Sequence, residues 1–215
     1  MDMWQLLVWG GRYFLHFLKL FDTVRNPLAM KKKVVCLTDR DPMWRKEDSN
    51  SFERCYPFEL GLEGNEYQEH SKTMIETFHE HPNIRVYSQD EIKGKTLEYD
   101  LMWYNSVSDL LFLEDLSNKK ELEEIQSEDY PACAEKLRNS SENKRIKEAL
   151  NLCTWTNEDK KKALLASRYL NSIGKGENAL ALSVILKNNL EKQSTERKDF
   201  IVPKYIKDAL VWLLQ

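Results

Sequence analysis

Apolar runs alternate with helical patterns at the start of the chain. The run from Gln5 to Trp9 predicts a strand, and the two glycines after it predict a tight turn. From Arg12 to Phe21 apolar side chains recur at helical spacing, so we expect an amphipathic helix. The continuous apolar run from Val34 to Thr38 predicts a strand buried on both faces, as in a parallel sheet. Strand, helix and strand in this order predict a right-handed crossover unit.

The segment after this strand changes character twice. Residues 43–64 are polar and show no period, so we expect a long surface loop. A helix is predicted at about Glu66 to Glu80, followed by a strand from Ile84 to Tyr87. The segment from Thr96 to Leu101 is predicted to be extended or a turn.

Helical periodicity dominates from about Ser106 to the end of the chain. Thr156 or Asn157 can cap one helix, and Pro203 can start the last one, where its missing N–H costs nothing. With the strands before them, these helices predict an α/β protein. The predicted helices are Val107 to Leu116, Lys119 to Gln126, Asn143 to Leu152, Glu158 to Ser172, Gly176 to Glu191 and Lys204 to Leu214.

The composition narrows the classes of partner. The chain has 215 residues, of which 41% are hydrophobic, which suits one compact domain or a domain with a sizeable insertion. Its formal net charge is -3 and its pI is about 5.9, which excludes a histone-like polybasic binder. Any binding of a phosphate backbone must therefore use local basic residues or bound metal ions.

Cysteines and charges indicate the compartment. The four cysteines form no C-x-x-C pair, so we expect a reducing, cytoplasmic setting without structural zinc. The first 22 residues contain Asp2, Arg12 and Lys19, which fit neither a spanning helix nor a signal peptide. We therefore expect a soluble protein with no membrane partner. His79 and His81 would point to different faces of a helix, and we interpret them as solvated surface residues rather than a metal site.

An acidic turn directly follows the predicted buried strand. Asp39 and Asp41 stand at positions i and i+2, where open α/β sheets place their ligands. Carboxylate oxygens suit magnesium or manganese, so the pair can share one cation. The alternative is that Asp-x-Asp-Pro is an ordinary turn in which aspartate serves local capping. Both interpretations stay open on these residues alone.

Two further constellations can carry chemistry. Glu98 and Asp100 would share one face if their segment is extended, although a strand with a solvated acidic edge explains them equally. Lys175 stands between Gly174 and Gly176 at a helix start, where a lysine can bind phosphate or stabilise developing negative charge. A plain turn is the alternative for this second segment.

In order and spacing, four segments together resemble a known family. The C-terminal region of OLD (overcoming lysogenisation defect) family nucleases has this arrangement, and the same region occurs in the nuclease subunit of Gabija antiphage systems. The resemblance covers about Leu6 to Leu214. The segments that carry it are Asp39-Arg40-Asp41-Pro42, Thr96-Leu97-Glu98-Tyr99-Asp100-Leu101, Gly174-Lys175-Gly176-Glu177 and Phe200-Ile201-Val202-Pro203-Lys204-Tyr205-Ile206.

The resemblance implies a fold and an activity. The fold would be α/β, with a Toprim-like, mostly parallel sheet flanked by helices, a helical insertion and a C-terminal helical part. It divides the chain into a Toprim-like core at 1–105, a helical insertion at 106–172 and C-terminal helices at 173–215 that pack back on the core. The activity would be metal-dependent endonuclease cleavage of DNA, and in the full-length family an ABC-type ATPase precedes this region.

The resemblance also implies roles for individual residues. Asp39 and Asp41 match the family's metal-binding carboxylates. Glu98 matches the glutamate of the Glu-Tyr-Asp segment, which implies a metal ligand and catalytic residue. Lys175 matches the catalytic lysine near the scissile phosphate, and Glu177 follows it as in the family. The implied cofactor is a pair of Mg²⁺ or Mn²⁺ ions, which activate water and stabilise the leaving oxygen.

One departure from the family limits this expectation. Toprim nucleases have a metal-binding glutamate at the end of their first strand, in a Val-Glu-Gly-type turn. The only acids in the first 30 residues here are Asp2 and Asp22. We therefore expect an N-terminally truncated region with an incomplete site, which is weak or inactive unless another chain completes it. The rival is a non-enzymatic interaction module from a split gene that pairs with an ATPase chain, and an exposed sheet edge would favour a homodimer.

Overall fold

The computed structural model describes residues 14–46, 49–62 and 64–215, and for residues 175–177 it describes the backbone only. The predicted strand from Gln5 to Trp9 lies outside these residues. The strands they form are β1 (Val34–Leu37), β2 (Met43–Lys46), β3 (Glu53–Arg54), β4 (Asn65–Gln68) and β5 (Ile84–Tyr87).

Helices make up most of the remainder. Within the described ranges, no helix is long and apolar enough to cross a membrane. The helices are α1 (Phe14–Leu18), α2 (Lys72–Phe78), α3 (Leu97–Tyr104), α4 (Lys119–Ser127), α5 (Ala132–Glu135), α6 (Ser141–Leu152), α7 (Asn157–Ser172), α8 (Lys175–Glu191) and α9 (Lys204–Leu214).

Strands β1 and β5 form a parallel pair, which confirms the α/β class. Val34 lies opposite Ile84, and Leu37 lies opposite Tyr87. One face of the pair packs on apolar side chains of α1 and α2, and the other packs on α9. Burial from both sides explains the uninterrupted apolar run of β1, because neither face of this strand meets water. The register also brings the ends of both strands to one edge.

The prediction of a loop over residues 43–64 is wrong. This segment contains β2 and β3, which join β4 in an antiparallel sheet of order β3-β2-β4. Its strands are polar and none of their residues is fully buried, so the sequence shows no apolar period. Pairs of side chains across neighbouring strands stabilise this sheet instead, as where Arg45 contacts Glu66 at 2.6 Å.

One predicted helix begins later than expected, and another does not form. The helix expected from Glu66 begins only at Lys72, because residues 65–68 belong to β4. The helix expected over residues 107–116 is wrong, since only a 3-10 turn, Asp109–Leu111, forms there. The hydroxyl of Ser108 accepts the N–H of Leu110 and caps this turn.

The described chain separates into two compact units. The first comprises the described residues among 14–57, 64–96 and 203–215, and the second comprises residues 58–62 and 97–202. In the second unit α3 packs on α7, with Tyr99 and Tyr169 fully buried. The predicted cap of α7 is confirmed, because the hydroxyl of Thr156 accepts the N–H of Asp159.

A buried ionic network connects the turn after α1 with the segment that precedes β5. Asp22 accepts hydrogen bonds from the Arg25 backbone at 2.9 Å and from its guanidinium at 2.7 Å, and it contacts His81 at 3.1 Å. His81 is only 6% exposed, so its interpretation as a solvated surface residue is wrong, while His79 is exposed. Burial by itself would raise the pKa of Asp22, but the hydrogen bonds from Arg25 and His81 outweigh it and lower that pKa to about 2.

We expect Asp22→Asn to lower the free energy of unfolding by about 2 kcal/mol at pH 7. The folded pKa lies below the unfolded one, so the stabilisation is complete above about pH 4 and disappears as the pH falls to about 2. Urea unfolding at several pH values measures this. Asp199→Asn, at an exposed carboxylate, is the control. Equal stability of Asp22→Asn and wild type at pH 7 would contradict the assignment.

Candidate functional site

The acidic turn lies at the carboxyl end of β1, as predicted. Asp39 and Asp41 follow the last strand residue, Leu37, and the segment after β5 runs beside them. Thr38 continues the pairing, since its N–H donates to the carbonyl of Tyr87 at 3.1 Å. This is the edge at which open parallel sheets hold their ligands.

Gln89, the second residue after β5, holds Asp39 in place. Its Nε2 donates to Oδ1 of Asp39 at 3.0 Å and to the hydroxyl of Tyr205 on α9 at 3.2 Å. Its Oε1 accepts the backbone N–H of Arg40 at 2.8 Å. Gln89 is only 3% exposed, so these bonds meet little competition from water. Three separate parts of the first unit are thereby joined through one side chain.

The arginine between the two aspartates is buried and neutralised. The guanidinium of Arg40 forms a bidentate pair with the carboxylate of Glu69, in which Nε lies 2.9 Å from Oε2. It also donates to the carbonyls of Asp90 and Glu91. Because Arg40 is only 3% exposed, its charge serves the fold around the turn rather than a ligand in solvent.

Asp41 has a left-handed backbone conformation, with φ at 42°. Aspartate tolerates this region better than most residues with a Cβ, although it still carries strain. The N–H of Asp41 donates to the carbonyl of Lys95 at 3.1 Å. The Asp41 backbone is thus strained, and a backbone hydrogen bond holds it at the edge of the sheet.

A close backbone approach explains Gly94, which the sequence marks only as a break. A Cβ at this position would lie 2.3 Å from Cβ of Gln89 and 2.5 Å from the backbone nitrogen of Asp90. The segment from Gln89 to Gly94 is closed by the N–H of Gly94, which donates to the carbonyl of Asp90 at 2.9 Å. The position of Gln89, and through it that of Asp39, therefore depends on this glycine.

The prediction of an extended segment from Thr96 to Leu101 is wrong, because Leu97–Tyr104 forms α3. The rings of Tyr99 and Trp103, four residues apart, stack at 6.3 Å, and this helical contact outweighs the alternation in the sequence. On a helix Glu98 and Asp100 do not share a face. Asp100 is buried.

Glu98 retains one feature of a ligand. Within the described residues its Oε2 is buried without a hydrogen-bond partner, and so is the hydroxyl of Tyr169. Burial and the neighbouring Glu98 carboxylate raise the pKa of Tyr169. An orphaned buried carboxylate oxygen fits a bound cation. Glu98 belongs to the second unit, and its membership in one site with Asp39 and Asp41 stays a prediction.

Lys175 is the first residue of α8, with Gly174 as the N-cap. Its side chain and that of Glu177 lie outside the described part of the chain. The predicted catalytic role of Lys175 and the place of Glu177 beside it therefore stay predictions.

The number of carboxylates in the acidic turn and their oxygen chemistry fit a metal ion. Magnesium is commonly held by one or two carboxylates, with water and substrate phosphate completing the coordination. Asp39 and Asp41 supply such a pair. Among the residues that the structure describes, no group of three or more His, Cys, Asp or Glu side chains is placed to hold a metal ion. The pair of ions implied by the resemblance therefore stays a prediction.

A cavity of about 310 Å³ adjoins the same edge of the sheet. Arg40 and Gln89 line it together with Ser71, Tyr87 and Ser88. Sequence reasoning missed Gln89 and this cavity. The sequence did contain a signal for both. Two adjacent parallel strands end at one edge, so the residues after β5 must lie opposite those after β1.

Comparison of the chain with protein-family models, with curated proteins and with solved structures finds no match. The evidence for a function of this chain therefore lies in the acidic turn and in the side chains that hold it.

We expect Gln89→Leu to lower the free energy of unfolding by about 2–4 kcal/mol, because it leaves several buried polar groups without partners. Gln126→Leu is the control, since Gln126 donates one hydrogen bond, to the Ser106 carbonyl at 2.9 Å. Urea unfolding at pH 7 compares the two variants, and equal losses would contradict the joining role of Gln89.

Gln89→Glu gives a pH-dependent test of the same contact. A carboxylate here would lie beside that of Asp39, so we expect destabilisation at pH 7 that is largely relieved below about pH 5, where one carboxyl is protonated and can donate. Gln89→Leu has no such recovery. A Gln89→Glu variant whose deficit does not change with pH would show that Asp39 is not its neighbour in solution.

Proposed function

We propose that the chain is the Toprim-like region of an OLD-type nuclease and takes part in metal-dependent hydrolysis of DNA phosphodiester bonds. The observation that supports this best is the position of Asp39, held by Gln89 at the carboxyl edge of the parallel strands. The hydrogen bond from a side chain 50 residues away fixes the Asp39 carboxylate in one orientation, as the partners of metal-binding carboxylates do.

The chain's own residues would act by position and charge. Asp39 and Asp41 hold the cation, which supplies charge stabilisation at the phosphate and an activated water when bound. Gln89 keeps the Asp39 carboxylate oriented, so that no reorganisation is needed when metal and substrate arrive. In this proposal Glu98 adds a further oxygen ligand and Lys175 offsets charge on the phosphate.

The proposal extends to cofactor and partners. Mg²⁺ or Mn²⁺ is the cofactor class, DNA is the substrate, and an ABC-type ATPase region on another chain is the expected partner. The described acidic turn offers one pair of carboxylates, so strong cleavage requires further ligands from substrate phosphate, from Glu98 or from a second chain. The pure chain is therefore expected to bind metal more readily than it cleaves DNA.

We expect Asp39→Asn/Asp41→Asn to weaken Mn²⁺ binding at least tenfold, because both charged donors are removed while asparagine keeps the shape and tolerates the left-handed conformation. Calorimetric titration with Mn²⁺ measures this, with Asp115→Asn, at an exposed carboxylate, as the control. Unchanged Mn²⁺ affinity in the double variant would refute the metal site.

Plasmid nicking with Mg²⁺ or Mn²⁺ tests the reaction itself. Any nicking by the wild-type chain should disappear in the double variant, and Glu98→Gln and Lys175→Ala should reduce it without abolishing Mn²⁺ binding at the acidic turn. Nicking that persists in the double variant would place catalysis elsewhere or in a contaminant.

A second candidate is an interaction module that binds a partner chain without catalysis. The observation that favours it is the set of large apolar side chains left exposed in the first unit, which would be costly to leave in water. They include six in or soon after α1, which are Leu15, Phe17, Leu20, Val24, Leu28 and Met30.

For this second candidate we expect sedimentation of the pure chain to show a dimer, and Leu20→Ser/Leu28→Ser to shift it towards monomer. Val107→Ser/Leu152→Ser removes two exposed apolar side chains from the second unit and is the control. A wild-type chain that stays monomeric at all concentrations would count against self-association, and co-purification with an ATPase chain would then test the partner.

A further inference from the structure

Basic side chains collect around Trp212 on α9. The Nζ of Lys33 lies 5.2 Å from the centroid of its ring, and Cζ of Arg85 lies 5.5 Å from the same centroid. Trp212 is half-buried where α9 packs against the β1–β5 pair. An aromatic ring within about 6 Å of a cation attracts it by about 0.5–1 kcal/mol at exposed sites. The ring of Trp212 therefore contacts two like charges.

Two more lysines extend this group. Lys31 and Lys32 are exposed and directly precede Lys33. We call Lys31, Lys32, Lys33, Arg85 and Trp212 the basic surface. None of its four cations forms an ion pair within the described ranges, whereas other cations there do, among them Arg25, Arg40 and Lys204.

The neighbouring carboxylate does not neutralise this group. Asp208 on α9 lies near Tyr87, but its carboxylate is paired with Lys204. Arg85 is further fixed by donating to the carbonyls of Phe78 at 3.0 Å and His81 at 2.8 Å. Four positive charges without an ion-pair partner in the described ranges thus lie just before β1 and on the neighbouring β5, in a chain whose net charge is -3.

Such an arrangement is unfavourable for stability alone. Like charges repel, and a surface selected only for folding would intersperse carboxylates among them. A polyanion removes that repulsion, and lysines serve as point charges for phosphates. Contacts to phosphates position a protein on the duplex and carry no sequence information directly.

We propose that the basic surface binds the phosphate backbone of DNA independently of sequence. This inference rests on the proposed function for the choice of DNA, and it adds where the substrate is held. Binding should need no metal ion, because the lysines supply the charge. It should weaken steeply with salt, because each neutralised phosphate releases counterions.

The test uses fluorescence anisotropy of the full chain with a labelled 20-base-pair duplex in EDTA, over a series of salt concentrations. We expect Lys31→Glu/Lys32→Glu to weaken binding at least tenfold and to reduce the slope of log K against log salt by about 2. Lys120→Glu/Lys144→Glu is the matched control, since both lysines are exposed and unpaired in the second unit and the change in net charge is the same. It should bind as wild type does.

A second variant tests the ring. Trp212→Leu should weaken binding less than the double lysine variant and Trp212→Phe should weaken it least, with thermal unfolding confirming that each variant is folded. The inference is overturned if the wild-type chain does not bind the duplex, if the lysine variant and its control weaken binding equally, or if vesicles containing phosphatidylserine bind the wild-type chain while DNA does not.

These results separate the inference from the proposed function. Loss of DNA binding in Lys31→Glu/Lys32→Glu, with Mn²⁺ affinity retained, supports the basic surface whether or not cleavage occurs. If the Lys31→Glu/Lys32→Glu variant binds DNA as tightly as wild type does, the proposed role of the basic surface is refuted. The metal titration of Asp39 and Asp41 remains an independent result.

Discussion

The first unit depends on one amide. Gln89 bonds the acidic turn, the backbone of Arg40 and the hydroxyl of Tyr205 at once, so the end of β5, the turn after β1 and the last helix are fixed relative to each other. A glutamine can do this because it offers donors and an acceptor without adding charge beside Asp39. Gly94 leaves the space in which that side chain sits.

The parts of the fold predicted correctly are those with one dominant signal. Val34 to Leu37 is apolar without interruption because both faces are covered. Helix α7 carries a clear cap, and α9 begins directly after Pro203. The small antiparallel sheet could not be predicted, because Trp44 and Arg45 pair with residues more than 20 positions away while facing solvent in part. No local period reports such pairing.

The candidate site divides in the same way. Asp39 and Asp41 were predictable since a strand end followed by two carboxylates is a local pattern. Glu98 was identified with the wrong conformation, because Leu97 to Leu101 alternates like a strand. The helix gains its contacts at helical spacing, as the stacking of Tyr99 on Trp103 shows. Gln89 and Trp212 act through partners distant in sequence, and only the packed structure reveals them.

Helix α9 contributes to both proposed DNA contacts, through Tyr205 near its start and Trp212 near its end. Seven residues of helix separate them, which is about 10 Å along the axis. Successive nucleotides of one DNA strand rise about 3.4 Å, so if DNA ran along α9, the proposed basic surface would lie about three nucleotides from the acidic turn. The length of α9 would then set where a cut falls relative to the basic surface.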